Sequence, residues 1–257
     1  MANAKKAKRP AKKSKRDTGA PDPDLIRDLV TANHILFQQG VVDGFGHVSV
    51  RHDKDPGKFL LARNMAPALV TAKDILVFDL DGAPVSPNAP PVYLERFIHG
   101  ETYRARSDVH AVVHSHAPAV IPFGVVSDVQ LQPIFHMSAF LGDGCPIFEI
   151  REAGGQGTDL LIRNPQLGAA MARDLGAHSA ILLRGHGATV VADTLRRAVY
   201  RAVYMQVNAE LQTAANSLGR INFLTSDEAK AATKSVEGQL QRAWDMWALM
   251  SRNLGLT

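Results

Sequence analysis

The stretch "HAVVHSHAP", residues 110–118, sets two histidines, His114 and His116, two positions apart in a short apolar run. Ala111, Val112 and Val113 mark a strand bound for a protein interior. In a strand, residues i and i+2 share one face, about 6.5–7 Å apart, so the two imidazoles project together. Such a pair is either two separately hydrogen-bonded core histidines or two nitrogens aimed at one ion, which imidazole binds at about 2.0–2.1 Å.

Working outward, a third histidine stands in "LLRGHGATVV", where His186 is bracketed by glycines between two apolar half-strands. Glycines on both sides let the backbone turn sharply or approach a neighbour closely. The stretch reads as a plain hairpin turn or as a strand end that offers a ligand. Glu95 falls in the first turn of the helix expected ahead of the His-x-His strand, where the helix dipole also favours a carboxylate. Three neutral imidazoles and one carboxylate bind a divalent ion and leave room for a substrate. The carboxylate can then leave the ion and move protons. Zinc is the first choice, with manganese, cobalt and iron accepted by the same set.

The rest of the chain frames these residues. Residues 17–23, "DTGAPDP", read as a linker, and a helix starts near Asp24 and stops at Gly40. "FGHVSVR", "FLLAR" and "DILVFDLDG" read as strands, the last closed by an Asp-Gly turn. The Pro-rich "GAPVSPNAPP" leads into a helix over about Val92 to Arg106. After the His-x-His strand come a helical turn at "PAVIPFG" and strands at "QPIFHM" and "CPIFEI". A helical region over about 158–176 is interrupted at Asn164-Pro165. A long helix from about Thr194 to Leu218 and another from Thr225 to Asn253 finish the chain, the last opened by a Thr225/Glu228 capping box. The expected fold is a single α/β domain with a central mixed, largely antiparallel sheet flanked by helices. Residues 1–23 form a basic tail and linker, and residues 24–257 the catalytic domain.

Composition excludes several classes. The net charge of +4 comes from residues 1–16, which hold eight Lys or Arg and no acid. The remainder carries 21 basic against 25 acidic residues. A tail so charged is expected to be disordered, and nothing beyond it calls for specific nucleic-acid binding. No apolar run approaches the roughly 18–20 residues that span a bilayer, so no membrane insertion is expected. The one cysteine, Cys145, excludes an intrachain disulfide and fits a reducing compartment such as the cytoplasm.

Taken together, "GFGHVSVR", "LERFIHGETYRARSDVHAVVHSHAP" and "LLRGHGATVV" resemble the class II aldolase/adducin superfamily over roughly residues 24–220. There a Glu precedes the His-x-His strand by a helix and a third His follows in an apolar-His-Gly stretch. Glu95, His114, His116 and His186 fall on those positions. The resemblance implies a metal-dependent enzyme, commonly a homotetramer, acting on a small molecule. Adducin-like members lack the ligands, all four of which are present here.

The branch is read from departures. Sugar-phosphate members resembling this chain show Gly-Asn-x-Ser at the first strand, a Ser-Gly-Thr type loop and Ser-Ser before the Glu. This chain has "GHVS", "ARNMAP" and "VYLE" instead, so a phosphate cradle is not expected. Arg63 offers a fork for a carboxylate, and His47 and His136 are further candidates to bind substrate. Phe45, Met65, Phe123, Phe135 and Met137 are candidate pocket walls, and Trp244 and Trp247 core or interface. The motifs look most like decarboxylases of dihydroxyphthalates or 2-hydroxy-carboxymuconic semialdehydes in aromatic catabolism, with Glu95 as the proton-handling residue. The alternatives are an aldolase or epimerase on a small non-phosphorylated hydroxy-carbonyl compound, and an iron-dependent oxygenase on the same scaffold.

Overall fold

Asp22, Pro23 and Gly40 bracket the first helix as their chemistry requires. In a computed structural model that describes residues 19–256, α1 spans Pro23–Gln38. The Asp22 carboxylate accepts the Asp24 N–H at 2.9 Å, and proline takes the first helical position. Residues 1–18, the expected basic tail and the start of the linker, lie outside the described residues. The chain continues through β1 (His47–Arg51), β2 (Lys58–Ala62), β3 (Ile75–Asp79), α2 (Arg96–Ala105) and β4 (Ala111–Ser115). Then come β5 (Ile147–Phe148), α3 (Ile150–Gly154), α4 (Pro165–Leu175), β6 (Ala180–Leu183) and β7 (Gly187–Ala192). The helices α5 (Leu195–Leu218), α6 (Ser226–Glu237) and α7 (Leu240–Asn253) close the fold.

The seven strands make one sheet in the order β3-β2-β1-β4-β7-β6-β5, antiparallel except where β5 runs beside β6. The fold is thus the expected single α/β domain with a mixed sheet. Side-chain alternation divides it into two buried layers. Val48, Val50, Val113 and Val190 pack with α1, α5 and α7, where Trp244 and Trp247 are buried. Phe59, Leu61, Val112 and Val191 pack with Ile98 and Tyr103 of α2 and with Met171 and Leu175 of α4. Register places His47 opposite His114, and Ser115 opposite Ala188. The start of β1, the end of β4 and the start of β7 therefore meet at one end of the sheet. Among the described residues no helix is long and apolar enough to cross a membrane.

Several boundaries differ from expectation for identifiable reasons. "QPIFHM" is not a strand: the chain is extended and then coils as a 3-10 helix over His136–Asp143. Its backbone hydrogen bonds go to side chains of α5 rather than to a sheet neighbour. Asn208 Oδ1 accepts the Ile134 N–H at 3.0 Å, and Asn208 Nδ2 donates to the Gln132 carbonyl at 2.8 Å. Gln212 accepts the Gln132 N–H and donates to the Gln130 carbonyl. The helix expected from Thr225 to Asn253 is two helices that part at Gly238-Gln239. Its two halves pack on different neighbours, α6 on the 136–143 coil and α7 on α1 and α5. The Thr225/Glu228 capping box is present. Residues 158–164 are not helical, since Asn164 caps α4 by accepting the Leu167 N–H and Pro165 opens it. The helix expected from Val92 begins at Arg96, leaving Glu95 at its N-cap rather than within its first turn.

Candidate metal centre

Each ligand candidate reaches the end of the sheet by a different local device. His114 lies inside β4 and is fully buried, while His116 sits just past the strand's last residue. His186 is carried by the turn between β6 and β7. There Gly185 adopts φ +66°, a left-handed conformation costly for other residues, and a Cβ on Gly187 would lie 2.0 Å from the Ser115 carbonyl oxygen. Only glycine at 187 lets β7 close against the end of β4. Glu95 points in from the start of α2.

The four side chains converge. Nε2 of His116 is 3.0 Å from Nε2 of His114 and 2.8 Å from Nε2 of His186. Oε2 of Glu95 is 3.5 Å from His114 Nε2 and 3.4 Å from His186 Nε2. All four ligand atoms lie within 4.8 Å of one another. The His186 Nδ1 faces the Leu160 carbonyl oxygen at 3.0 Å. A carbonyl only accepts, so the proton is on Nδ1 and the Nε2 lone pair faces the cluster. The other Glu95 oxygen, Oε1, accepts the Ile162 N–H at 2.9 Å. Both supports come from one loop, and Leu160 is the one non-glycine residue with positive φ, +68°, among the described residues. That conformation costs a side-chain-bearing residue roughly 1–2 kcal/mol. Here it coincides with contacts from neighbouring backbone groups to two of the ligand candidates.

Burial and mutual repulsion keep His114 and His116 neutral. Burial, then the neighbouring His114 and His186, lower the His116 pKa to about 4, and burial likewise lowers that of His114. Burial pushes the Glu95 carboxyl up, but hydrogen bonds with His114 and His186 outweigh it and hold the group far below the usual carboxylate range. Three neutral nitrogens and a carboxylate are the protonation states a divalent ion requires. Nitrogen lone pairs gathered at 2.8–3.0 Å call for a cation between them. The donor set fits the metal that the sequence implies.

A cavity of about 330 Å³ opens beside the cluster, walled by Phe45, His47, Met65, Tyr93, Glu95 and His116 among others. The His47 ring lies tilted against its neighbours, its centroid 4.9 Å from that of His114 and 4.6 Å from that of Tyr93. The expected pocket walls divide. Phe45 and Met65 line the cavity, whereas Phe123 is buried in the core. His136 and Met137 line a separate cavity with Tyr200 and Tyr204, and Phe135 meets the Tyr204 ring edge-on. Within one chain, then, His136 stands apart from the cluster. Arg63 directs its Nε to Asp74 Oδ1 at 2.8 Å, next to the segment that lines the cavity. Sequence reading passed over His99, Tyr103 and Tyr93, whose hydroxyl donates to the Met65 carbonyl. The available signal was the four-residue step Glu95, His99, Tyr103, one face of a helix.

With the geometry in place, known proteins can be set beside it. Residues 27–213 match the family model described as Class II Aldolase and Adducin N-terminal domain. The chain is similar to the decarboxylase tropJ of Talaromyces stipitatus, 36% identical over 245 residues, covering 86% of this chain and 92% of that protein. It is also similar to the 3,4-dihydroxyphthalate decarboxylase of Arthrobacter keyseri, 31% identical over 237 residues, covering 84% and 89%. An aldolase II superfamily protein from Pseudomonas syringae superposes with a TM-score of 0.74 at 22% identity, covering 94% of this chain and 97% of that one. That last likeness bears on the fold.

Proposed function

We propose, from the premise that this chain belongs to the class II aldolase and adducin family, that it is a metal-dependent, non-oxidative decarboxylase. The substrate class is a hydroxylated aromatic acid of the dihydroxyphthalate type, or a 2-hydroxy-carboxymuconic semialdehyde. Similarity to two decarboxylases over most of both chains supports an enzyme of the lyase type. The observation that carries the reading is the placement of Glu95. It lines the cavity, turns one oxygen to the Nε2 atoms of His114 and His186 and has the other held by a backbone N–H.

Glu95, His114, His116 and His186 would hold the ion. When bound, it supplies Lewis-acid stabilisation of negative charge on the substrate oxygens beside the departing carboxylate. The chain's own groups do the rest. As the C–CO2 bond breaks, its electron pair stays on the substrate. The ionised Glu95, directly or through a water it orients, takes the proton of the substrate's hydroxyl and delivers it to that carbon, the oxygen regaining a proton from solvent on release. His47 faces the same cavity and presents a polar edge to a phenol or carboxylate. Arg63 keeps both Nη groups free of hydrogen bonds among the described residues, which suits it to receive a second carboxylate near the mouth. Phe45 and Met65 exclude water from the ring's faces. His136 contributes only where another copy of the chain brings its cavity to this one. The homotetramer is carried in the same proposal, supported by apolar residues left uncovered on α7, Met246, Leu249 and Met250.

The test is CO2 release from a panel of dihydroxyphthalates and 2-hydroxy-carboxymuconic semialdehydes, under anaerobic conditions, with and without a chelator. Chelator-sensitive release without O2 is the expected result. Aldehyde release or stereochemical inversion without CO2, or a need for O2, would replace the reading by the aldolase or the oxygenase alternative.

A further inference from the structure

Beneath the cavity four side chains form one unbroken hydrogen-bonded column. His47 Nδ1 and His99 Nε2 are 2.7 Å apart, as are His99 Nδ1 and Ser49 Oγ, and Ser49 Oγ and Tyr103 Oη. All four residues are buried, His99 and Ser49 completely. Two periodicities build the column. His47 and Ser49 alternate onto one face of β1, and His99 and Tyr103 lie four apart on α2, on the face that begins at Glu95. Arg51 ties the far end: its guanidinium lies 4.8 Å from the Tyr103 ring centroid and donates to the carbonyls of Tyr103 and Arg106.

Counting protons along the column fixes its direction. The Tyr103 phenol has one proton, and Ser49 Oγ is the acceptor within reach. Arg51, over the face of its ring, has only donors to offer. Tyr103 therefore donates to Ser49. Ser49 spends its single proton on His99 Nδ1, so the His99 proton sits on Nε2 and is donated to His47 Nδ1. The His47 proton is then on Nε2, the nitrogen left for the cavity that His47 lines. The reverse order would leave a buried phenolic proton without an acceptor, which costs roughly 1–3 kcal/mol and so about 5- to 150-fold in population.

We infer that His99, Ser49 and Tyr103 are positioning residues that hold neutral His47 as its Nε2–H tautomer, a hydrogen-bond donor aimed at an anionic oxygen of the substrate. The identity of that oxygen, a carboxylate or phenolate, rests on the decarboxylase reading; the tautomer does not. A donor fixed in this way needs no reorganisation when charge develops on the oxygen it faces.

The test is the long-range 1H–15N spectrum of zinc-loaded full-length protein labelled in its histidines, which separates protonated from bare ring nitrogens. His47 is assigned by the signal lost in His47→Asn. The expected wild-type result is a single neutral tautomer protonated at Nε2. His99→Leu and Tyr103→Phe lose that preference and show His47 as a mixture, with zinc content unchanged. His99→Gln restores it, because its amide NH2 donates to His47 Nδ1 and its carbonyl accepts from Ser49. A purely packing role for the column would leave the His47 tautomer indifferent to these changes. Wild-type His47 protonated at Nδ1 overturns the inference without recourse to any variant, as does a sole Nε2–H form persisting in His99→Leu. Absence of CO2 release with the wild-type tautomer as expected would strike the decarboxylase reading and leave the column standing.

Discussion

The two faces of β1 and β4 are made from the same strands, equally buried, and do opposite things. Toward α1 and α5 they present Val48, Val50, Ala111 and Val113, an apolar layer continuous with Leu29, Ile35 and Val199. Toward α2 they present His47, Ser49 and His114, interleaved with Val112. Burying polar groups without partners costs several kcal/mol, and almost every polar atom on this second face has a partner. The exception is instructive: buried His114 Nδ1 makes no well-formed hydrogen bond, only a contact with the Ala188 backbone, while its Nε2 turns to the ligand cluster. One face supplies stability and the other holds chemistry in place. Because side-chain period in a strand is two, a one-residue slip would exchange them.

The sharpest way to break this comparison is to change chemistry on the polar face without changing volume. Glu95→Gln keeps the shape of the side chain and its hydrogen bond from the Ile162 N–H but removes the group proposed to move the proton. Turnover is expected to fall by roughly 10²- to 10⁴-fold, the usual worth of a positioned general acid or base. The thermal midpoint should stay within a few degrees of wild type. The measurement pairs initial rates of CO2 release with metal content. Full activity in a metal-loaded Glu95→Gln would remove Glu95 from the mechanism.

A second test compares neighbours on β4. Val113→Ala deletes two buried methyl groups on the apolar face. It should cost about 2 kcal/mol of stability, from transfer at about 0.8 kcal/mol per group plus a cavity term, and leave metal content unchanged. His114→Val puts the neighbour's chemistry on the opposite face. It is expected to lose the metal while changing the stability of the metal-free protein by less than Val113→Ala does, since an imidazole with one nitrogen lacking a well-formed hydrogen bond is replaced by a well-packed apolar group. Denaturant melts of both chelated variants read the contrast. If the order of the two destabilisations is reversed, the division of labour between the faces is wrong.

How much of this was legible beforehand follows the same line. His114 and His116 were readable as a pair because strand alternation is local, and His186 because glycines flank it in an apolar run. The sheet's strands were found for the same reason, except where a distant element replaced the ladder. Residues 132–135 carry a strand's composition, but Asn208 and Gln212, more than 70 residues later, take their backbone hydrogen bonds. His99 and Tyr103 were visible as a helical stripe. Knowing that the stripe faces His47 and Ser49 requires knowing which helix covers which face of the sheet. The Arg63 fork was visible, but its Asp74 partner comes from a capping box whose fold-back toward β2 no local pattern announces. What escaped was long-range pairing, not local conformation.

The smallest expected effect lies at the sheet's rim, where polar groups meet solvent and the comparison should fade. Asp74 accepts from Thr71 and Arg63. The Thr71 hydroxyl and backbone together with Arg63 hold its carboxyl down to about 2, against a burial contribution of opposite sign. The sign follows from linkage: a group whose folded pKa is depressed contributes stability fully present above about pH 4, lost as pH falls through about 2, because the unfolded chain takes up the proton first. Asp74→Asn should thus cost about 1 kcal/mol at pH 6, modest because Arg63 is open to solvent. The gap between variant and wild type should close between pH 4 and pH 2 in acid denaturation curves. A gap independent of pH would assign the loss to altered packing of the loop. The same variant frees the Arg63 Nε. A rise in KM at constant kcat would then show that Asp74 aims this guanidinium at the substrate's carboxylate, which extends the polar face's discipline to the mouth of the cavity.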